Sequence, residues 1–230
     1  MNEGKSIIFL AFANDRGDRV RYLRNLAEEA RRLREALAPA ERAGLCQVVV
    51  RQNATVQEIF DVFQDAQTRN RVAVFHYGGH ADSYRLLFEG AAGEPTPADA
   101  ASLAAFLSHQ TGLQLAFLNG CSTQGQAQGL LDAGVAVVMA TSQTIDDRAA
   151  TEFAARFYTG LAGGASLGTA FGEAQAALRT QQGGLTRHIG AVEKGLRVRN
   201  PRGEGRQQAR GVHHLAPAMD RGAQGDPKSL

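Results

Sequence analysis

Two stretches decide how this chain folds: Val72-Ala-Val-Phe-His-Tyr-Gly-Gly-His-Ala-Asp82 and Leu113-Gln-Leu-Ala-Phe-Leu-Asn-Gly-Cys-Ser-Thr123. Each is a short apolar run that breaks at glycine and then presents a reactive side chain, His80 in the first and Cys121 in the second. Continuous apolar runs of this length, bounded by turn residues, read as strands covered on both faces. In an open α/β sheet, residues just past the carboxyl ends of neighbouring parallel strands meet in one crevice. A His and a Cys delivered there are the two halves of a thiolate–imidazolium pair.

The flanking sequence repeats the same grammar. Ile7 to Ala13 is another apolar run, broken by Asn14-Asp-Arg-Gly-Asp18, and Asp18 is placed to cap a helix. From Arg19 to Leu37 the spacing of Tyr22, Leu26, Ala30, Leu33 and Leu37 predicts an amphipathic helix. Its arginines, with Glu28, Glu29 and Glu35, form a solvated face. Cys46 to Arg51 is the next strand. Thr55-Val-Gln-Glu58 is a capping box opening a helix to about Phe63. Tyr84 to Glu89 reads as a short strand or hairpin. Thr96-Pro-Ala-Asp99 reads as an N-cap with Pro at the first helical position, starting a helix to about His109. After Cys121 come a helix from Gln124 to Ala133, a strand from Ala136 to Ala140, a helix begun by Asp146 or Asp147, and a last helix from near Ser166. Alternating strands and helices predict an α/β fold, a mostly parallel central sheet with helices on both faces.

This periodicity stops at Gln182. The segment 183–230 holds nine glycines, nine Lys/Arg and four Asp/Glu, and reads as a disordered basic tail. Residues 1–182, with 16 basic and 19 acidic groups, form the folded domain. Two cysteines, Cys46 and Cys121, make no disulfide framework in 230 residues. No apolar run approaches the roughly 20 residues that span a bilayer. These features point to a reducing cytoplasm, no membrane and no nucleic acid. No phosphate loop, dinucleotide fingerprint or serine-hydrolase elbow is present, and no cofactor is implied.

Cys121 follows a strand and precedes a helix, a position that favours the thiolate. Gly79 and Gly120 let the backbone approach a substrate, and the amides of Ala81 and Cys121 are placed to form an oxyanion hole. Alternatives stand beside this reading. Free cysteine is often a buried structural thiol. His76 competes with His80 as the base. A zinc site from His76, His80 and Cys121 lacks a fourth ligand and close ligand pairs.

The pair Phe75-His-Tyr-Gly-Gly-His80-Ala and Leu118-Asn-Gly-Cys121-Ser resembles the two catalytic signatures of CHAT domains, the caspase-like peptidases related to separase. Ala136 to Asp147, Ala149 to Tyr158 and Leu161 to Ala177 are similar to the family's later segments, so the likeness covers about residues 5 to 180. The opening strand and charged helix are similar to bacterial CHAT domains that precede signalling NTPase modules. The resemblance implies a caspase-like three-layer fold and a cysteine endopeptidase in bacterial signalling or defence. Cys121 would be the nucleophile, His80 the general acid and base, and the partners a protein or peptide substrate and a separate regulatory protein. Ala81 stands where the family usually has glycine, a departure that matters if the position needs a positive φ. Acidic groups at Asp82, Asp146 or Asp147 would favour cleavage after Arg or Lys. The alternative is a catalytically inactive CHAT-like interaction domain, or a remnant of a larger regulator.

Overall fold

The computed structural model describes residues 4–15, 22–82, 84–90, 93–121, 123–141, 147–182 and 189–193. Among them the chain order is β1 (Ser6–Ala13), α1 (Leu26–Arg42), β2 (Cys46–Gln52), α2 (Val56–Gln64), β3 (Val72–Gly79), β4 (Arg85–Glu89) and β5 (Pro95–Asp99). There follow α3 (Ala100–Ser108), β6 (Leu115–Asn119), α4 (Gln124–Asp132), β7 (Val137–Thr141), α5 (Asp147–Ala162), α6 (Leu167–Gln182) and β8 (Ile189–Glu193). The central sheet runs β2-β1-β3-β6-β7-β8. Its first five strands are parallel, and β8 closes the edge antiparallel to β7. The predicted α/β architecture is therefore the observed one.

Strand alternation divides the core. Phe9, Ala11, Phe75, Tyr77, Ala116 and Leu118 face a layer built from α2, α3 and α4. Leu10, Phe12, Leu115, Phe117 and Met139 face α1, α5 and α6. Both sides are packed, which is why the strands read as apolar runs instead of alternating ones. Aromatic rings fill the second layer: Phe117 makes edge contacts with Phe153 and Phe157, and Phe153 with Phe171.

Several local expectations needed correction. α1 begins at Leu26, because the Asn14 side chain holds the preceding turn: its Oδ1 accepts the Leu23 N–H at 2.9 Å and its Nδ2 donates to the Leu23 carbonyl at 3.0 Å. Tyr22 consequently lies off the helix and is exposed. The proposed cap Asp18 lies outside the described residues. The helix continues through Pro39 to Arg42, with Ala40 buried in register with Leu33 and Leu37. Glu29 is buried and leaves the solvated face assigned to it. Thr96 is not a helix cap but pairs with Phe88 in the β4–β5 hairpin, and Asp99 caps α3 by accepting the Ser102 N–H at 2.8 Å. The capping box at Thr55 and Glu58 forms as read. Beyond Gln182, where the periodicity ends, β8 still adds a strand; its sequence Ile-Gly-Ala-Val-Glu has only two large apolar residues, separated by Gly190 and Ala191, and so lacks the continuous apolar run of the other central-sheet strands.

Candidate active site

The pairing register of β3 and β6 sets the geometry. Gly78 lies opposite Asn119 in a parallel ladder, so His80 and Cys121 each leave the sheet two residues beyond the last matched pair. Neighbouring strands are about 4.8 Å apart, and the two side chains emerge at the same level. Both line one small cleft of about 50 Å³ at the carboxyl edge of the sheet. Gly79, Asn119 and Gly120 form the rest of its strand-end wall, Glu29 and Leu26 come from α1, and Asp147 from the start of α5.

Glycine permits the close approach of the two loops. A Cβ at Gly120 would lie 2.8 Å from the Gly79 carbonyl oxygen and 2.9 Å from the Ala81 Cβ. At Gly79 it would meet the Ala13 carbonyl and the Tyr77 hydroxyl, each at 2.6 Å. Neither glycine, nor Ala81, has a positive φ. Ala81 is therefore unstrained, and its methyl occupies space that Gly120 leaves open.

Polar contacts fix each loop separately and then tie them together. Tyr77 Oη lies 2.6 Å from the carbonyls of both His80 and Leu87, and burial pushes its phenol far above the usual range. Ala81 bridges to Leu86, and the hydrogen bonds of that bridge are made by its neighbours: the Leu87 N–H donates to the His80 carbonyl and the Asp82 N–H to the Arg85 carbonyl. In such a pair the central residue's own N–H and C=O point away from the partner strand. On the other loop, Thr123 Oγ1 donates to the Leu118 carbonyl at 3.0 Å and accepts the Thr141 N–H at 3.0 Å. Thr141 Oγ1 donates to the Gly120 carbonyl. With that carbonyl held toward β7 and the peptide trans, the Cys121 N–H turns away from β7. Gln126 on α4 then donates to the Asp82 carbonyl at 2.6 Å, joining the helix after Cys121 to the loop after His80.

Some candidates of the sequence reading part from this group. His76 is fully buried within β3, four residues before His80, with Nε2 3.1 Å from Glu29 Oε1, and among the described residues no group of His, Cys, Asp or Glu is placed to hold a metal ion. Asp82 accepts the Tyr84 N–H at 2.8 Å and pairs with Arg85 at 2.9 Å, contacts that hold its carboxyl below the usual carboxylate range. Its side chain stabilises the hairpin turn. Asp147 does line the cleft, whereas Asp146 lies outside the described residues. Cys46 is buried on the far edge strand, and burial followed by the Glu41 charge pushes its thiol up. Sequence reasoning missed Glu29 and Asn119 as cleft residues. The signal for Glu29 was its place three residues after Leu26 and four before Leu33, on the apolar stripe.

Comparison with known proteins agrees with this architecture. The crystal structure of the Drosophila initiator caspase Dronc is similar, with a TM-score of 0.58 over 82% of this chain and 79% of that one, at 11% sequence identity. The fold is thus caspase-like, an α/β sheet with helices on both faces. The family model described as the CHAT domain matches residues 2–198, and the chain belongs to that family. No curated protein matches it. Among the described residues, no helix is long and apolar enough to cross a membrane.

Proposed function

We propose that the chain is a cysteine endopeptidase in which Cys121 is the nucleophile and His80 the general acid and base. The observation that carries this reading is the matched exit of both residues from adjacent parallel strands into one cleft. Cys121 Sγ, as thiolate, attacks a peptide carbonyl carbon, and the developing oxyanion is met by the amides of Cys121 and Ala81. Their orientation supports that role: the Gly120 carbonyl is anchored by Thr141, and the Ala81 amide is turned away from the hairpin. Imidazolium at His80 then protonates the leaving amine, the C–N bond breaks, and a thioester remains on Cys121. Water, deprotonated by His80, hydrolyses that thioester and regenerates the thiolate.

The cleft is small, room for about three water molecules, so a protein substrate lies across it with its scissile carbonyl at Cys121. Asp147 gives it an acidic wall, which favours Arg or Lys next to the scissile bond. Asp82, also read as a pocket group, is engaged by Arg85. Two free thiols suit a reducing compartment such as bacterial cytoplasm, in signalling or defence. A separate regulatory protein is the expected source of control.

The test is incubation of the purified chain with a diverse peptide library, read by mass spectrometry. New termini are expected with the wild type, concentrated after basic residues, and absent with both Cys121→Ala and His80→Ala. Cleavage surviving in Cys121→Ala would overturn the assignment, and cleavage by neither wild type nor variant would favour the inactive interaction domain.

A further inference from the structure

One carboxylate oxygen under the cleft joins the two strands that carry His80 and Cys121. Glu29 is only 2% exposed, on a face of α1 otherwise made of Leu26, Ala30 and Leu33. Its Oε1 lies 3.1 Å from His76 Nε2 and accepts from Asn119 Nδ2 at 2.6 Å. His76 is on β3, four residues before His80, and Asn119 ends β6, two residues before Cys121. A carboxylate withdrawn from water is costly, and an apolar residue at position 29 would complete the stripe without that cost.

The surroundings leave this carboxylate central to its neighbours. His76 is wedged among the rings of Phe12, Phe117 and Tyr158, at centroid distances of 5.6, 4.9 and 5.6 Å. His76 Nδ1, Asn119 Oδ1 and Tyr158 Oη are buried without hydrogen-bond partners. Burial, and then the Glu29 charge, push the Tyr158 phenol well above its ordinary range. Both donors that are satisfied here reach the same oxygen of Glu29. A single acceptor shared by adjacent strands resists sliding of either one, because a shift that relieves one bond stretches the other.

We propose that Glu29 is a positioning residue: through His76 and Asn119 it locks the ends of β3 and β6 in the register that brings His80 to Cys121. The proposal rests on the peptidase reading and adds to it the device that sets the dyad's spacing. Glu29 acts through its two donors and takes no part in proton transfer.

The experiment compares wild type, His80→Ala, Glu29→Leu, Glu29→Gln and His76→Phe in two readouts. One is the rate of Cys121 alkylation by limiting iodoacetamide, with Cys46 in the same molecule as reference. The other is kcat and KM on a cleaved library peptide. Glu29→Leu should slow Cys121 alkylation and kcat by about 10- to 100-fold, with KM moved by less than about threefold. Glu29→Gln keeps an oxygen that accepts both bonds and should stay within about threefold of wild type. If Glu29→Leu loses its cooperative melt, His76→Phe decides, since it unties β3 alone inside an aromatic pocket and should slow both readouts about tenfold. A folded Glu29→Leu, or failing that His76→Phe, that alkylates at the wild-type rate while His80→Ala is slow overturns the clamp alone. Melting temperatures that fall with unchanged alkylation and kcat overturn it equally, as a purely structural role. A wild type whose Cys121 reacts no faster than in His80→Ala overturns the peptidase reading, and the clamp with it.

Discussion

Replacing Gly120 with alanine tests the packing that brings the two loops together. The new Cβ would stand 2.8 Å from the Gly79 carbonyl oxygen and 2.9 Å from the Ala81 Cβ, where ordinary contact begins at 3.4 Å. The shortfalls, about 0.6 and 0.5 Å, fall on a backbone carbonyl and a methyl group, neither of which can rotate away. The strands behind them are fixed by the β3–β6 ladder, so the loops must part. Overpacking of this kind costs about 1–3 kcal/mol. At about 2–4 °C per kcal/mol for a domain of this size, the melting temperature should fall by about 2–12 °C. Separation of His80 from Cys121 by about half an ångström should slow peptide cleavage about tenfold, since a full ångström costs about a hundredfold. Differential scanning fluorimetry and library-peptide kinetics read the two effects. Adding Ala81→Gly removes one of the two obstacles and should restore part of both losses. A Gly120→Ala protein with wild-type melting and wild-type turnover would refute the close-approach argument.

Other consequences follow from the same contacts. Thr141→Val leaves the buried Gly120 carbonyl without its donor; unfolding in urea should show a loss of about 1–3 kcal/mol, and Cys121 alkylation should slow as its peptide is freed. Thr55→Ala removes the capping box of α2 and should cost about 1 kcal/mol by the same assay. Burial alone would raise the Glu152 carboxyl, but hydrogen bonds from Arg32 and Arg156 outweigh it and hold it below its ordinary value. A depressed folded value means the contribution is complete above the unfolded carboxyl range and is lost as pH falls through the folded one. Wild-type stability should therefore drop more steeply below about pH 4.5 than that of Glu152→Gln, and equal slopes in acid titrations would refute the pairing.

The strands were legible because a sheet covered on both faces demands unbroken apolar runs, and Ile7 to Ala13, Val72 to Phe75 and Leu115 to Leu118 supply them. The two loops were legible for a chemical reason: only glycine fits where Gly79 and Gly120 meet other backbone. What stayed hidden depends on tertiary contact. Glu29 looked like one more charge among Glu28 and Glu35 until His76 and Asn119, 47 and 90 residues away, arrived as donors. Asp82 looked like a pocket carboxylate, but local turn contacts with Tyr84 and Arg85 claim it. Asn14, which by pattern only ends the first strand, delays the start of α1 by bonding both polar groups of Leu23. The substitution of Ala81 for glycine raised a question of backbone strain that only the observed dihedral answers.

The central claim is that Cys121 is a nucleophile made reactive by His80 toward peptide carbonyls. Its most direct test is covalent capture: the intact chain is incubated with a panel of peptidyl acyloxymethyl ketones bearing Arg, Lys, Leu or Asp next to the electrophile, and the adduct is located by mass spectrometry. The account predicts one adduct per chain, on Cys121, formed fastest with Arg or Lys and suppressed in His80→Ala. An adduct on Cys46, or one on Cys121 that forms equally fast without His80, would contradict it.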